Sequence, residues 1–316
     1  MRIASPSIGR STRENKGGRP DMWTQFICPD DVPIKIEDCI KECRMDRRCV
    51  AKPTLIMFAK GRREWKGKIS TTQALNGTRL EYLKIRHEYG EAPCDRAFAL
   101  AGTQHHLKYQ QVEIPNALYE EWMEDEEGTG MLDYYDSEMF ELYDFKLIGG
   151  YKVNRVLGKI SEDVVIPGEF FRSGPRKGQP RTQKVWGMCE PDHFEYRMQL
   201  SRYGWMLRDA GFRVDRVFLQ ATVRDWTKQT SKQYGLDRKI YLIEIPMFER
   251  DMVVNFYRGK RDALLKALET NTVPEKCSDE ERWNDRRCIE YCPIWNHCDH
   301  GRQVRATVFP KEEEVA

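Results

Sequence analysis

Apolar positions recur at helical spacing in several separated stretches of the chain. Leu55, Phe58 and Ala59 share one helical face. Residues 98–110 (FALAGTQHHLKYQ) read as an amphipathic helix, and residues 194–211 as a second helix that stops at Gly211, where glycine suits a left-handed terminus. Residues 247–269 read as a long helix. Between these lie strand-like runs. Residues 146–156 (KLIGGYKVNRV), turned at Gly149 and Gly150, and residues 157–166 (LGKISEDVVI) are read as a β-meander. Residues 184–190, 213–226 and 239–246 supply three more strands, and the Gly- and Pro-rich basic stretch 171–184 between them reads as a loop. The alternation of strands and helices predicts an α/β chain, in which a central mixed sheet is flanked by helices.

Composition changes this picture in one place. The chain of 316 residues has a net charge of only +2. Residues 113–144, however, hold twelve Asp or Glu and no Lys or Arg, which leaves a charge of +14 on everything else. A basic body with one acidic insert suits a polyanionic partner, with the insert covering that body or meeting a protein. Residues 1–20 carry Arg2, Arg10, Arg13, Lys16 and Arg19 among Ser and Gly, and read as a flexible basic tail. No apolar run approaches the length of a membrane span.

The cysteines are the clearest candidates for chemistry. Cys28, Cys39, Cys43 and Cys49 are spaced C-x10-C-x3-C-x5-C, and Cys277, Cys288, Cys292 and Cys298 repeat that spacing. An Asp follows each first cysteine by two residues (Asp30, Asp279), and an Ile follows each second one directly (Ile40, Ile289). A C-x3-C pair on a helix puts both sulfurs on one face, where two more can complete a tetrahedral pocket. Four thiolates suit Zn²⁺ or an iron–sulfur cluster; disulfides are the competing reading. Nothing in the chain reads as a signal peptide, so the expected setting is a reducing cytoplasm, which favours metal. Spacing alone leaves open whether the two sets form separate sites or exchange ligands.

Three features resemble the PD-(D/E)XK nuclease superfamily, in particular RecB-type exonucleases of the CRISPR-associated and phage kinds that carry cysteine clusters. Residues 102–106 (GTQHH) look like the G-T-x-x-H helix motif, which makes His106 a metal ligand. Residues 199–203 (QLSRY) match Q-L-x-x-Y, and Cys288, Cys292 and Cys298 resemble the C-terminal iron–sulfur ligands, there commonly C-x2-C-x5-C. The resemblance implies a RecB-type core over about residues 96–300. In active members a strand reading G-K-I-D supplies a metal-binding Asp, and the next strand a D-x-K or E-x-K whose Lys steadies the attacking water. Here Gly158-Lys159-Ile160-Ser161 and Val185-Trp186-Gly187-Met188-Cys189 occupy those places in the order, without the charges.

The expectation is therefore a nucleic-acid-processing protein of impaired or lost phosphodiesterase activity, with a pseudoenzyme scaffold docking a protein through residues 113–144 as the alternative. Any surviving site would draw on His106, Asp163 and Glu190 for Mg²⁺ or Mn²⁺, on Lys184 for the water, and on Gln199 and Tyr203 for positioning. A [4Fe-4S] cluster or Zn is expected at Cys277, Cys288, Cys292 and Cys298, and Zn or a second Fe–S cluster at Cys28, Cys39, Cys43 and Cys49. The partner is DNA, single-stranded or as duplex ends. Four regions are expected: the tail 1–20, a four-cysteine and helical module 21–95, the core 96–246 with the acidic insert 113–144, and a helix with a second four-cysteine module at 247–316.

Overall fold

A computed structural model describes residues 22–109 and 111–309, so the expected tail 1–20 lies outside the described residues. The chain is a mixed α/β protein that divides into two units. Residues 22–68, 77–95 and 267–309 form unit 1, and residues 69–76 and 96–266 form unit 2. The two cysteine sets, expected in separate modules 21–95 and 247–316, thus belong to one unit, while residues 69–76 and 247–266 of those modules fall in the other. The reason is visible in the helix Thr78–Arg86. Arg79 donates through Nε to the Pro274 carbonyl at 2.7 Å and pairs with Asp299, and Arg86 donates to the Leu268 carbonyl.

Unit 1 holds a three-stranded sheet centred on Trp23–Ile27, which pairs antiparallel with Pro33–Lys35 and parallel with Tyr89–Glu91. Its interior is made by Trp23, Phe26, Leu55, Phe58, Leu80 and Leu83, all buried. Leu55 and Phe58 lie on the helix Lys52–Lys60, whose start is set by a proline in its first turn.

Unit 2 is built on a five-stranded mixed sheet. Its central strand Glu141–Ile148 pairs parallel with Arg216–Val223 and antiparallel with Tyr134–Asp136; Ile240–Glu244 and Ala117–Tyr119 close the two edges. Side chains alternate across a strand. Accordingly Val217 and Leu219 enter one cluster with Leu200 and Leu207 of the helix Phe194–Asp209, while Ala221 and Val223, further along the same face, enter a second with Val153 of the helix Gly150–Val156. Tyr143 and Phe145 point the other way, and Tyr109 of the helix Ala97–Tyr109 stacks on Phe145 with ring centroids 4.2 Å apart. Both faces of the central strand are covered by helices.

Two sequence expectations change here. The run 146–156 is strand only to Ile148; from Gly150 it is helix, because Val153 and Val156 are buried three residues apart, a helical spacing. The Gly150 N–H donates to Asp225 Oδ1 at 2.7 Å, which anchors the helix start. The acidic stretch 113–144, expected as an insert, holds the strands Ala117–Tyr119, Trp122–Glu124, Thr129–Met131 and Tyr134–Asp136 and the start of the central strand. The helix Phe194–Asp209 ends as expected: Gly211 has φ +89°, Gly211 N–H donates to the Arg208 carbonyl and Phe212 N–H to Leu207, a Schellman closure.

Residues 159–188 form a separate antiparallel hairpin, Lys159–Phe170 against Pro180–Met188, outside the five-stranded sheet. Among the described residues no helix is long and apolar enough to cross a membrane.

Candidate functional site

Unit 2 brings two carboxylates together beside a lysine. Asp144 sits in the central strand and Lys146 two residues on, so both project from the same face; Asp133 immediately precedes the neighbouring strand. Lys146 Nζ donates to Asp144 Oδ1 at 2.6 Å, and Gln199 Nε2 donates to the same oxygen at 3.0 Å. Asp144 Oδ2 is buried and has no hydrogen-bond partner. The Phe145 N–H donates to Asp133 Oδ2 at 2.7 Å, while His106 Nδ1 lies 3.6 Å from Asp133 Oδ1.

The electrostatics follow from this crowding. Burial, then the Asp144 carboxylate, pushes the Asp133 carboxyl up to about 7. Burial opposes the charged form of Lys146, but Asp144 and Asp133 outweigh it and hold the ammonium above its ordinary range. Burial, and then Lys146, lowers the His106 imidazole. Tyr203 is raised by burial and by Asp144. Two carboxylates, an imidazole and a bare carboxylate oxygen are the donor types that a divalent cation takes, although the ligand atoms of Asp133, Asp144 and His106 do not all lie within 4.8 Å of one another in this structure.

Of the residues expected from sequence, the structure gathers His106, Gln199 and Tyr203 around this pair and places the others elsewhere. Asp163 and Lys184 are opposed residues of the exposed hairpin, and Glu190 is exposed just past it. The set His106, Asp163, Glu190 and Lys184 is not assembled, because the run read as core meander is a two-stranded ribbon apart from the main sheet. Asp133, Asp144 and Lys146 were missed. Gly130-Met131-Leu132-Asp133 and Asp144 stood inside a stretch read only for its charge, and Lys146 in the run 146–156 read as a strand.

The walls of the site are pinned by residues of the same acidic stretch. Arg202, 2% exposed, donates to Asp125 Oδ1 at 2.6 Å and to Thr71 Oγ1 at 3.1 Å, and lies 4.4 Å from the Tyr257 ring centroid. Gly130 is required beside Tyr203: a Cβ there would come 2.9 Å from Thr71 Oγ1 and closer still to the tyrosine ring.

Both cysteine sets lie in unit 1, and all ten cysteines are free thiols. Cys277, Cys288, Cys292 and Cys298 line one cavity with Leu80, Leu83 and Ile294. Burial, then the thiols and Asp285 around it, pushes Cys288 up to about 11. Buried sulfurs whose thiolate forms burial and then mutual repulsion disfavour suit a cationic centre among them. Gly77 makes room for Cys277, whose Sγ a Cβ would strike. Asp285, Cys288 and His300 also bring ligand atoms within 4.8 Å of one another, but the Arg282 guanidinium bonds both Asp285 and His300 and already supplies positive charge there. In the first set, burial and then Cys28, Cys49 and Cys43 raise the Cys39 thiol. The members of each quartet are thus neighbours within unit 1, although no three of their sulfurs lie within 4.8 Å of one another in this structure.

The raised Asp133 has a consequence for metal-free protein. Its folded pKa lies above the usual carboxylate value, so the folded chain holds more protons than the unfolded one between about pH 4 and 7, and this group's contribution to stability is lost as pH rises through that window. Thermal unfolding of metal-free protein is expected to show a steeper fall in Tm over that window for the parent than for Asp133→Asn. Parallel pH profiles would count against a buried, strained Asp133.

No protein-family model matches the chain, and no curated protein resembles it. A solved chain described as "Crystal structure of SSO0001" aligns at 15% identity and a TM-score of 0.38, over 78% of this chain and 92% of that one. A likeness at that score carries no argument about fold or activity.

Proposed function

We propose that unit 2 is a RecB-type nuclease core and that the chain is a metal-dependent DNA phosphodiesterase. The observation that carries this reading is the Asp133–Asp144 pair with Lys146 two residues beyond Asp144 on the central strand. Gly130-Met131-Leu132-Asp133 stands for the family's G-x-I-D and Asp144-Phe145-Lys146 for its D-x-K, with Gln199 and Tyr203 matching Q-L-x-x-Y and His106 the helix histidine. The empty positions at Ser161 and Val185 then lie outside the motifs, and the reading moves from impaired activity to intact activity.

Asp133, Asp144 and His106 would hold Mg²⁺ or Mn²⁺, which when bound supplies an activated water and offsets charge on the phosphate. The chain does the rest. Gln199 fixes Asp144 through Oδ1 and leaves Oδ2 free to act as a ligand. His106, held neutral, keeps a ring nitrogen available as a donor. Lys146 is partly exposed, permanently charged and tied to Asp144 at 2.6 Å, which sets its ammonium where a nucleophilic water or a developing oxyanion is stabilised. Leu132, Leu142 and Leu200 wall the cluster with apolar surface, so these charges act with little screening.

Charge supports a nucleic-acid substrate, single-stranded or as duplex ends. Residues 171–184, at and beyond the turn of the hairpin, hold Arg172, Arg176, Lys177, Arg181 and Lys184 and no acid, and all five are exposed. A two-stranded ribbon with a basic tip matches a phosphate backbone, and its width fits a major groove. The cysteine cavity of unit 1, on the same resemblance, takes an iron–sulfur cluster or Zn²⁺. The acidic stretch, whose Asp125, Asp133, Glu141 and Asp144 are engaged inside unit 2, offers less to a protein partner than its composition suggests.

On end-labelled single- and double-stranded DNA with Mn²⁺, the parent is expected to cleave, and Asp144→Asn and Lys146→Ala to lose about a hundredfold or more. Asp163→Asn should match the parent. Cleavage insensitive to Asp144→Asn, or none by the parent, removes the reading. The hairpin is tested by binding to the same DNA without divalent metal. Replacing Arg172, Arg176 and Lys177 by Ala should weaken affinity and flatten the dependence of log K on log salt by about 2 to 3, near 0.9 per lost phosphate contact. An unchanged slope would take the hairpin out of the interface.

A further inference from the structure

The first cysteine set is not part of the nuclease reading, yet the helix that carries its second cysteine repeats the one in the second set. With each cysteine matched to its counterpart, the helix Ile36–Lys41 falls on the helix Arg286–Glu290. Each carries the second cysteine of its set, Cys39 or Cys288, and both are buried. Both helices end on the same bond: Glu42 N–H donates to the Asp38 carbonyl at 2.8 Å, and Tyr291 N–H to the Arg287 carbonyl at 2.9 Å. The carbonyl after the second cysteine is capped by an arginine in each case, Ile40 by Arg48 Nη2 at 3.1 Å and Ile289 by Arg305. The Asp two residues after the first cysteine is ion-paired in both, Asp30 with Arg44 and Asp279 with Arg282. A helix repeated with its terminal hydrogen bond, and not merely a spacing, puts Cys39 on its backbone as Cys288 is on its own, with the third cysteine just past the helix end in both sets.

The surroundings of the first set also suit a metal. Four thiolates on a divalent ion leave a net charge of −2, and a buried or half-buried group of that charge needs cations near it. Arg44 and Arg48 supply two. Arg44 bonds Asp30 at 2.6 Å and reaches the Cys28 sulfur; Arg48 bonds the carbonyls of Cys39 and Ile40 and lies close enough to favour the Cys39 thiolate. Such arginines orient a site without displacing its ligands, since guanidinium groups donate to carbonyl and sulfur but cannot accept.

We propose that Cys28, Cys39, Cys43 and Cys49 form a second tetrathiolate metal centre, a copy of the template at Cys277, Cys288, Cys292 and Cys298, so that unit 1 carries two thiophilic centres. The centre takes Zn²⁺ or an iron–sulfur group through the same four sulfurs. Its role is to hold together a short sheet and a six-residue helix, which are too small to be stable alone. This rests on residues 28–49 and their repeat, and stands or falls whether or not the chain cleaves DNA.

The test uses the full chain, purified without oxygen. Zinc, iron and acid-labile sulfide are measured in the parent, in Cys39→Ser with Cys43→Ser, and in Cys288→Ser with Cys292→Ser. Each pair should lose one centre's metal and keep the other's, and the element lost tells Zn²⁺ from a cluster. Metal content unchanged by the Cys39 and Cys43 substitutions overturns the proposal. Because either variant can misfold, the parent alone is also alkylated with iodoacetamide and mapped by mass. Cys94 and Cys189 are exposed and outside both sets, and should label at once. Cys43 and Cys49, half-buried and exposed, should resist until a chelator or a mercurial strips the metal. Labelling of Cys49 as fast as Cys189 in untreated protein overturns the proposal as well.

Discussion

Two carboxyl groups buried near one another are tolerated only if a cation or a proton offsets their charge, and in this chain the position of one cation is fixed by the strand itself. Lys146 follows Asp144 by two residues, so the pleat aims both at one point and the ammonium is spent on Asp144 at 2.6 Å. Asp133 is left over, its carboxyl lifted to about 7 by burial and by its neighbour. One ammonium faces two buried carboxyl groups. The rest of unit 2 serves this imbalance: the parallel pairing of Glu141–Ile148 with Arg216–Val223 makes the strand central and dry, and the helix Phe194–Asp209 brings Gln199 to one Asp144 oxygen while the other stays bare.

The acidic stretch shows how charge counted along a chain differs from charge placed in a fold. Asp125 is answered by the buried Arg202 at 2.6 Å, Glu127 by Arg258 at 2.9 Å and Glu141 by Arg216. Those arginines come from beyond residue 144, so a segment of −12 folds by borrowing charge from distant helices and strands. Removing one partner would strand the other; Arg202, at 2% exposure, has no access to water for compensation. The basic hairpin stands outside this exchange, apart from Arg181 with Glu169, and that leaves its tip positive.

What the sequence made legible was set by the length of each signal. The helices Ala97–Tyr109, Phe194–Asp209 and Arg250–Thr270 are long enough for a 3.6-residue period to register, and His106, Gln199 and Tyr203 came with them. The cysteine register needed no period. Asp133 was hidden because it stands among strands of three residues each, too short for alternation to rise above a run of acids, and Asp144 and Lys146, on the eight-residue strand Glu141–Ile148, were divided between the acidic stretch 113–144 and the run 146–156. The run Gly158-Lys159-Ile160-Ser161, read as part of a core meander, opens a ribbon that lies outside the five-stranded sheet. Pairing of chain ends within unit 1 depends on long-range bonds such as Arg79 to Pro274, which no local pattern announces.

The most direct measurement is anomalous diffraction from crystals of the full chain soaked in Mn²⁺. The account predicts a peak about 2.1 Å from Asp144 Oδ2 and from a carboxylate oxygen of Asp133, with the His106 ring turned to it. A site at which Asp144 Oδ2 is capped by a side-chain donor, with no manganese between the two carboxylates, would contradict it.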